Sequence, residues 1–348
     1  MVLNRVRICN KFCIFGAQVV AYGAYVAIKQ LTGRTPECFA VSSMDHNLKN
    51  IENIPVTTLD EVPEDSLIIV AVTELVQKEV LPYLKQQGYH DIMVLTQHEE
   101  HVLMSAYYQS IGKFPLANKK GKMERVDITI YEIRNHRDTL LMNPPRLSYY
   151  EKPIQAGAAI AQHFVTDILD NTGQNISEKN KQYCEMTATY WVWKNTSHHW
   201  KGIEHYRRHL MVDPGMLDAG VDVILPLPYM CYPNTVAQFR RFVSEDVLQA
   251  LLKALKHLYP NEYEAYYNII YGPYQYTYNL VCARKDVFDA YCTWFFSISE
   301  YMETMADNVP ELADTRALSY VAEVLTNIYF MYHQNQWNIR HVEKEIYI

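Results

Sequence analysis

No run of about eighteen uninterrupted apolar residues occurs in this 348-residue sequence, so no membrane-spanning helix is predicted. Cysteine is sparse. Cys9, Cys13, Cys38, Cys184, Cys231, Cys282 and Cys292 are odd in number, scattered and never spaced C-x-x-C. That speaks against a disulfide framework or a thiolate zinc site and fits buried thiols in a reducing compartment. A basic excess is missing too: 32 Lys and Arg stand against 39 Asp and Glu, a net charge of -7. A general nucleic-acid binder carries a basic field, so nucleic acid is not an expected partner, although a local basic pocket for a nucleotide phosphate stays open. The N-terminal apolar run is interrupted by Asn10, Lys11 and Gln18, and no signal peptide is expected. The first glycine turn, Gly16-x-Gln18-x-x-Ala21, has a side chain where the second glycine of a dinucleotide fingerprint lets the backbone approach a pyrophosphate. No acidic residue closes the following strand, with Asp45 only shortly beyond it, so an NAD-type oxidoreductase is the weakest of the functional readings.

What is present is a globular composition, 49% hydrophobic and 20% charged, at a length suited to about two domains. Strand-like runs KFCIF, ECFAVSS, LIIVAV and IMVLT alternate with a turn and helix over residues 16–31 and helical segments near 74–87 and 98–110, which predicts a small Rossmann-like parallel-sheet domain over residues 1–111. A polar, basic, turn-rich linker follows at 112–126, with the boundary near Lys122. Residues 127–348 read as a mixed α/β domain. Its strands are ITIYEI, KGIEHYRRHL, DVILP and LVCAR, its helices lie at 181–195, 235–257 (broken near Ser244), 286–306 and from Arg316, and HVEKEIYI adds an edge strand. Leu318, Val321, Leu325 and Ile328 share one helical face.

Residues 170–210 concentrate the polar chemistry. Asp170, Asn175, Ser177, Lys179 and Asn180 crowd around Gly173, as in a loop that binds a base, ribose or phosphate, and equally as in turns and caps. Helical spacing places Tyr183, Thr187, Tyr190 and Lys194 on one face and Cys184, Ala188 and Trp191 on an adjoining core face. KGIEHYRRHL begins as a strand and ends in His205, Tyr206, Arg207 and Arg208. If the strand stays regular, His205 and Arg207 share a face. Arginine offers a fixed fork of donors matched to phosphate oxygens; the alternative is that Arg207 and Arg208 pair with core carboxylates such as Asp222. His205 and His209 could ligate a metal but lack an evident third ligand. The tyrosines at 259, 263, 266, 267, 271, 274, 276 and 278 could form a stacking platform for an acceptor or pack as core.

The ordered segments DNTGQNISEKNKQYCEMTATYWVWKN, GIEHYRRHL, DVILP, YNLVCARKDVFDAYCTWFF and RALSYVAEVL resemble a bacterial family of glycosyltransferases from capsular and exopolysaccharide clusters, first catalogued as a domain of unknown function. The likeness spans residues 127–345. It implies a GT-A-like fold and transfer of a sugar, galactopyranose or galactofuranose, from a UDP-sugar donor to a glycan or lipid-linked glycan acceptor. It implies a cytoplasmic enzyme, in peripheral contact with the inner membrane face where the acceptor is lipid-linked. Enzymes of that fold usually end the corresponding strand in Asp-x-Asp, which holds a divalent cation; no Asp-x-Asp occurs here. No cofactor beyond the donor is therefore assigned, with manganese or magnesium left open, and His205 and Arg207 are expected to take over some or all of the metal's work on the diphosphate. Glu185 and Asn279 match family positions. Asp170, Asn175, Ser177, Asn180, Glu185, Lys194, His205, Arg207, Arg208 and Asn279 form the expected donor set. Glu323, Asp314 and His205 are the expected catalytic groups, with Glu311 as a further candidate base. Ser319 and Tyr320 stand where the family has glycine and an aromatic residue. A transferase-like scaffold without catalysis is the alternative. Residues 1 to about 100 are similar to the small domains that precede sugar acyltransferases.

Overall fold

The computed structural model describes residues 2–119, 126–217 and 220–348. The chain divides into two compact units, Met1–Pro115 with Tyr229–Pro233, and Leu116–Pro228 with Asn234–Ile348. The boundary expected near Lys122 falls outside the described residues. No helix among the described residues is long and apolar enough to cross a membrane.

In the first unit, β1 (Phe12–Phe15), β2 (Phe39–Val41), β3 (Asn50–Ile51), β4 (Ile54–Thr58), β5 (Leu67–Val70) and β6 (Ile92–Val94) lie in the order β3-β4-β2-β1-β5-β6. All neighbours are parallel except the β3–β4 hairpin. The parallel strands therefore follow the 3-2-1-4-5 order of a Rossmann-like sheet. FCIF, FAV and LIIV are buried at every position, as strands inside a parallel sheet must be. The helices are α1 (Val2–Ile8), α2 (Val19–Thr32), α3 (Glu74–Gln86) and α4 (Gln97–Ser110). No helix joins β2 to β4; the β3–β4 hairpin takes its place, and the turn after β4 adds Leu59 and Val62 to the core. Gly16 has φ +120°, and a Cβ there would stand 2.7 Å from the Ala71 carbonyl oxygen, so only glycine fits this turn.

The second unit holds β7 (Ile128–Arg134), β8 (Glu151–Gln155), β9 (Ile168–Leu169), β10 (Trp200–His205), β11 (Arg208–Leu210) and β12 (Val223–Pro226). After the two-residue strands β13 (Tyr229–Met230, in the first unit) and β14 (Tyr274–Gln275) come β15 (Val281–Arg284), β16 (Ile339–Val342) and β17 (Lys344–Ile346). The main sheet runs β16-β12-β15-β10-β7-β8-β9. β10, β7, β8 and β9 are mutually parallel, whereas β15 runs antiparallel between β10 and β12. This mixed sheet is the expected GT-A-like α/β architecture. Its helices are α5 (Asn180–Tyr183), α6 (Met186–Asn195), α7 (Thr235–Phe239), α8 (Glu245–Leu258), α9 (Tyr263–Ile270), α10 (Lys285–Glu303), α11 (Glu311–Asp314) and α12 (Ala317–Tyr332). The expected break at Ser244 is real: its side chain caps α8 by accepting from Val247 N. Leu318, Val321, Leu325 and Ile328 of α12 are all buried.

Two expected elements differ. The helix read over 181–195 is split at Cys184, whose φ is +47°. The strand read through 205–208 is not regular: β10 stops at His205, Tyr206 and Arg207 make a turn, and Arg208 starts β11 opposite His205. His205 and Arg207 thus do not share a strand face; His205 and Arg208 are cross-strand neighbours instead.

Candidate active site

The parallel strands β7, β8, β9 and β10 end along one edge of the sheet, where open α/β sheets place their ligands. The loops there are built by the polar residues of 155–187. Asp170, fully buried after β9, accepts from the backbone N–H of Gly157 (2.8 Å) and Ala158 (2.9 Å) and from the Ser177 hydroxyl. Ser177 Oγ in turn accepts from Ala159 N. Asn180 Nδ2 donates to the Cys184 carbonyl (2.7 Å) and to Thr187 Oγ1 (3.0 Å), and its Oδ1 accepts from Asn135 Nδ2, beyond the end of β7. Asn175 is exposed, accepting from Ser177 N. Asp170, Ser177 and Asn180 thereby fix the loops that follow β8 and β9.

A second group gathers where β10 turns into β11. His205 is half-buried, and burial reinforced by Arg208 and Arg207 lowers its pKa to about 3, so the ring is neutral. The Arg208 guanidinium lies 4.1 Å from the centre of the Tyr278 ring, and that of Arg207 lies 5.3 Å from the Tyr206 ring. Neither arginine has a carboxylate partner among the described residues, and the Nε of each is buried without a hydrogen bond. The expected alternative, pairing with Asp222, does not occur: Asp222 binds Arg284 at 2.7 Å.

Tyr278 and Asn279 follow one another with φ +70° and +53°, a costly geometry for two non-glycine residues and one that clusters at functional sites. Asn279 donates to Glu185 Oε1 (2.8 Å) and accepts from Thr326 Oγ1 of α12 (2.9 Å). Glu185 itself follows the strained Cys184 and precedes α6. One turn before Thr326, Glu323 receives a hydrogen bond from the Tyr278 backbone. Burial and then the Glu185 charge raise its pKa to about 7, against the opposing pull of Arg208 and Arg316. The structure thus assembles His205, Arg208, Tyr278, Asn279, Glu185 and Glu323 from four separate segments. This group can hold an anion at Arg208 and move a proton at Glu323.

Other expected residues lie elsewhere. Asp314 is exposed on α11, Glu311 accepts from Ser244 N, and Lys194 is exposed with its ammonium 3.2 Å from the centre of the Trp193 ring. Most of the tyrosine run packs as rings: Tyr259 and Tyr266 against Trp294, Tyr267 against Tyr271, and Tyr276 buried with its hydroxyl 2.8 Å from His341 Nε2. Sequence reading missed Asp138, whose pKa burial raises to about 6 beside Arg207 and Arg134, and the buried acids Glu132 and Glu204. A lone glutamate inside each of the apolar strands ITIYEI and KGIEH was the available signal.

Comparison with known proteins gives a family model described as a domain of unknown function, DUF4422, over residues 133–335, more than half of the chain. A solved structure, the apo form of the bifunctional glycosyltransferase WbbM, is similar at 26% identity and a TM-score of 0.55, covering 63% of this chain. This chain covers 45% of that one, so it corresponds to less than half of that protein. No curated protein matches.

Proposed function

The chain belongs to the DUF4422 family, and on that premise we propose that it is a glycosyltransferase that moves a hexose from a UDP-sugar to a glycan acceptor. The observation that carries the reading is the pair of arginines without carboxylate partners at the β10–β11 turn, of which Arg208 acts on Glu323, a glutamate whose pKa is raised to about 7. The 26%-identical glycosyltransferase structure supports it.

On this reading the acceptor hydroxyl oxygen bonds to the anomeric carbon of the donor as that carbon's bond to the diphosphate oxygen breaks. The hydroxyl proton passes to the Glu323 carboxylate, which acts as general base. The departing diphosphate gains negative charge, and Arg207 and Arg208, fixed at the strand turn, stabilise it electrostatically. His205, neutral, lines the pocket and serves as a hydrogen-bonding group. Asn279 and Glu185 orient the donor sugar or ribose, and the loops braced by Asp170, Ser177 and Asn180 frame the nucleoside. No divalent cation is assigned to the diphosphate, because arginines stand where related folds carry Asp-x-Asp. Galactopyranose or galactofuranose is the sugar proposed, and a capsular, exopolysaccharide or O-antigen repeat the product, made in the cytoplasm or at the inner membrane face when the acceptor is lipid-linked.

The test is calorimetry with uridine diphosphate, with and without manganese, together with turnover of a panel of nucleotide sugars. Saturable binding and transfer are expected. Arg207→Ala and Arg208→Ala should each weaken binding about 10- to 100-fold, the scale of a lost hydrogen bond to a charged group, while the fold persists because no ion pair is broken. Unchanged affinity in both variants would remove the arginines from the site. Binding without turnover of any donor would favour the non-catalytic scaffold.

A further inference from the structure

Adjacent strand residues point to opposite faces, so Glu204 leaves β10 on the face away from His205. There it meets ionisable groups that the transfer chemistry does not use. Glu132 on β7 is the register partner of Glu204, and the two side chains emerge side by side. Glu151 from the start of β8 and His209 from β11 complete the group. Glu132, Glu204 and His209 are 0%, 1% and 3% exposed. Charged groups so deeply placed need close partners. Yet Glu204 Oε1 and His209 Nε2 take part in no hydrogen bond.

The spacings explain the anomaly. His209 Nδ1 is 3.4 Å from Glu204 Oε1 and 3.7 Å from Glu151 Oε1, and one ligand atom from each of the three residues lies within 4.8 Å of the others. Charge-assisted hydrogen bonds run at about 2.7–2.9 Å, so these contacts are long. They are instead close to the edge, about 3.4 Å, of a tetrahedron whose metal–ligand bonds are about 2.1 Å. The second imidazole nitrogen, Nε2, faces Glu132 Oε1 at 3.5 Å. Glu132 is gripped by Arg134 at 2.6 and 3.1 Å. A metal-ligating histidine ordinarily turns its second nitrogen to a carboxylate that is itself held, and Glu132 is placed to take that role. A mixed nitrogen and oxygen donor set suits zinc better than magnesium or calcium, which take oxygens.

We propose that Glu151, Glu204 and His209 form a binding site for one divalent zinc-class ion, with Glu132 as the positioning residue for His209. The ion would tie β8, β10 and β11 together directly beneath the turn that presents Arg207 and Arg208. The inference rests on the cluster's own geometry and not on the proposed transferase activity.

The test uses the full chain, freed of any histidine tag and read by metal analysis rather than turnover. Wild type should carry zinc or, after chelation, take up about one equivalent in competition with a chromophoric chelator. Cobalt in its place should give the visible absorption of a four-coordinate site. Glu204→Gln and His209→Gln should abolish uptake. Glu132→Gln should keep the stoichiometry and weaken affinity about 10- to 100-fold, the scale of a lost carboxylate partner to a ligating histidine. A wild-type chain that neither carries nor takes up zinc overturns the site, and so does uptake that survives both ligand variants. Where a ligand variant fails to fold, wild-type uptake and Glu132→Gln decide.

Discussion

His205, at the turn between β10 and β11, and Glu323, on α12, have each lost their ordinary charge behaviour, and for the same reason. Burial holds the His205 imidazole neutral, with its pKa near 3, so the positive charge of the site comes from the arginines alone. Burial holds the Glu323 carboxyl up, to about 7. A base with that value is matched to neutral solution, and the transfer rate should rise with pH through about 7 as the carboxyl loses its proton. Stability runs the other way. Because the folded-state pKa exceeds the ordinary 4.5, the folded chain holds this proton more tightly than the unfolded chain does. The contribution to stability is therefore full below about pH 4.5 and is lost as pH rises through 7. Glu323→Gln removes that loss. Its stability relative to wild type should be greater at pH 8 than at pH 5, by up to about 3 kcal/mol for a shift of this size, while turnover falls about 100-fold or more. Urea unfolding at the two pH values and a pH–rate profile check both halves. A profile flat from pH 5 to 8 would take the base role from Glu323.

At the scale of elements, the legible parts of the chain were those whose own residues carry the signal. LIIV and FCIF are apolar throughout and became buried strands, and Ser244 is a good helix cap and became one. The parts that misled have no local signal. Nothing in QYCEMTA marks a helix break. Cys184 sits at φ +47°, its carbonyl accepting from the side chains of both Asn180 and Thr187. Likewise EHYRRH contains no glycine, asparagine or proline, so the turn at Tyr206–Arg207 reads as strand until β17 is seen to pair with β11. Asp170 was open between ligand contact and turn bracing, and the structure gives its oxygens to three local donors. These loops depend on Gly157, at φ +69°, where a Cβ would overlap the Asn180 amide. Gly157→Ala should therefore cost about 2 kcal/mol or more, from the left-handed backbone and the displaced Asn180 together. Urea denaturation measures it, and a variant as stable as wild type would show that Asn180 does not anchor this loop.

For the molecule as a whole, two sheets compete for the role of nucleotide site, and ligand-linked stability can separate them. The first unit has the 3-2-1-4-5 strand order that in other proteins receives dinucleotides. Its phosphate turn, however, carries the Gln18 side chain, which donates to Asn47 Oδ1 at 3.1 Å, and the nearest acid after β2, Asp45, accepts from the Ser43 hydroxyl. A pyrophosphate would have to displace the first, and a ribose would have to compete for the second. The second unit instead offers guanidinium groups without carboxylate partners at the carboxyl ends of parallel strands. A ligand at about 100 times its dissociation constant stabilises the folded state by about 2.7 kcal/mol. Thermal unfolding of the full chain should therefore shift upward with millimolar uridine diphosphate and stay unchanged with NAD or NADP. Arg208→Ala should blunt the uridine response. A shift with NAD that survives Arg208→Ala would move the nucleotide site to the first unit and restore the oxidoreductase reading.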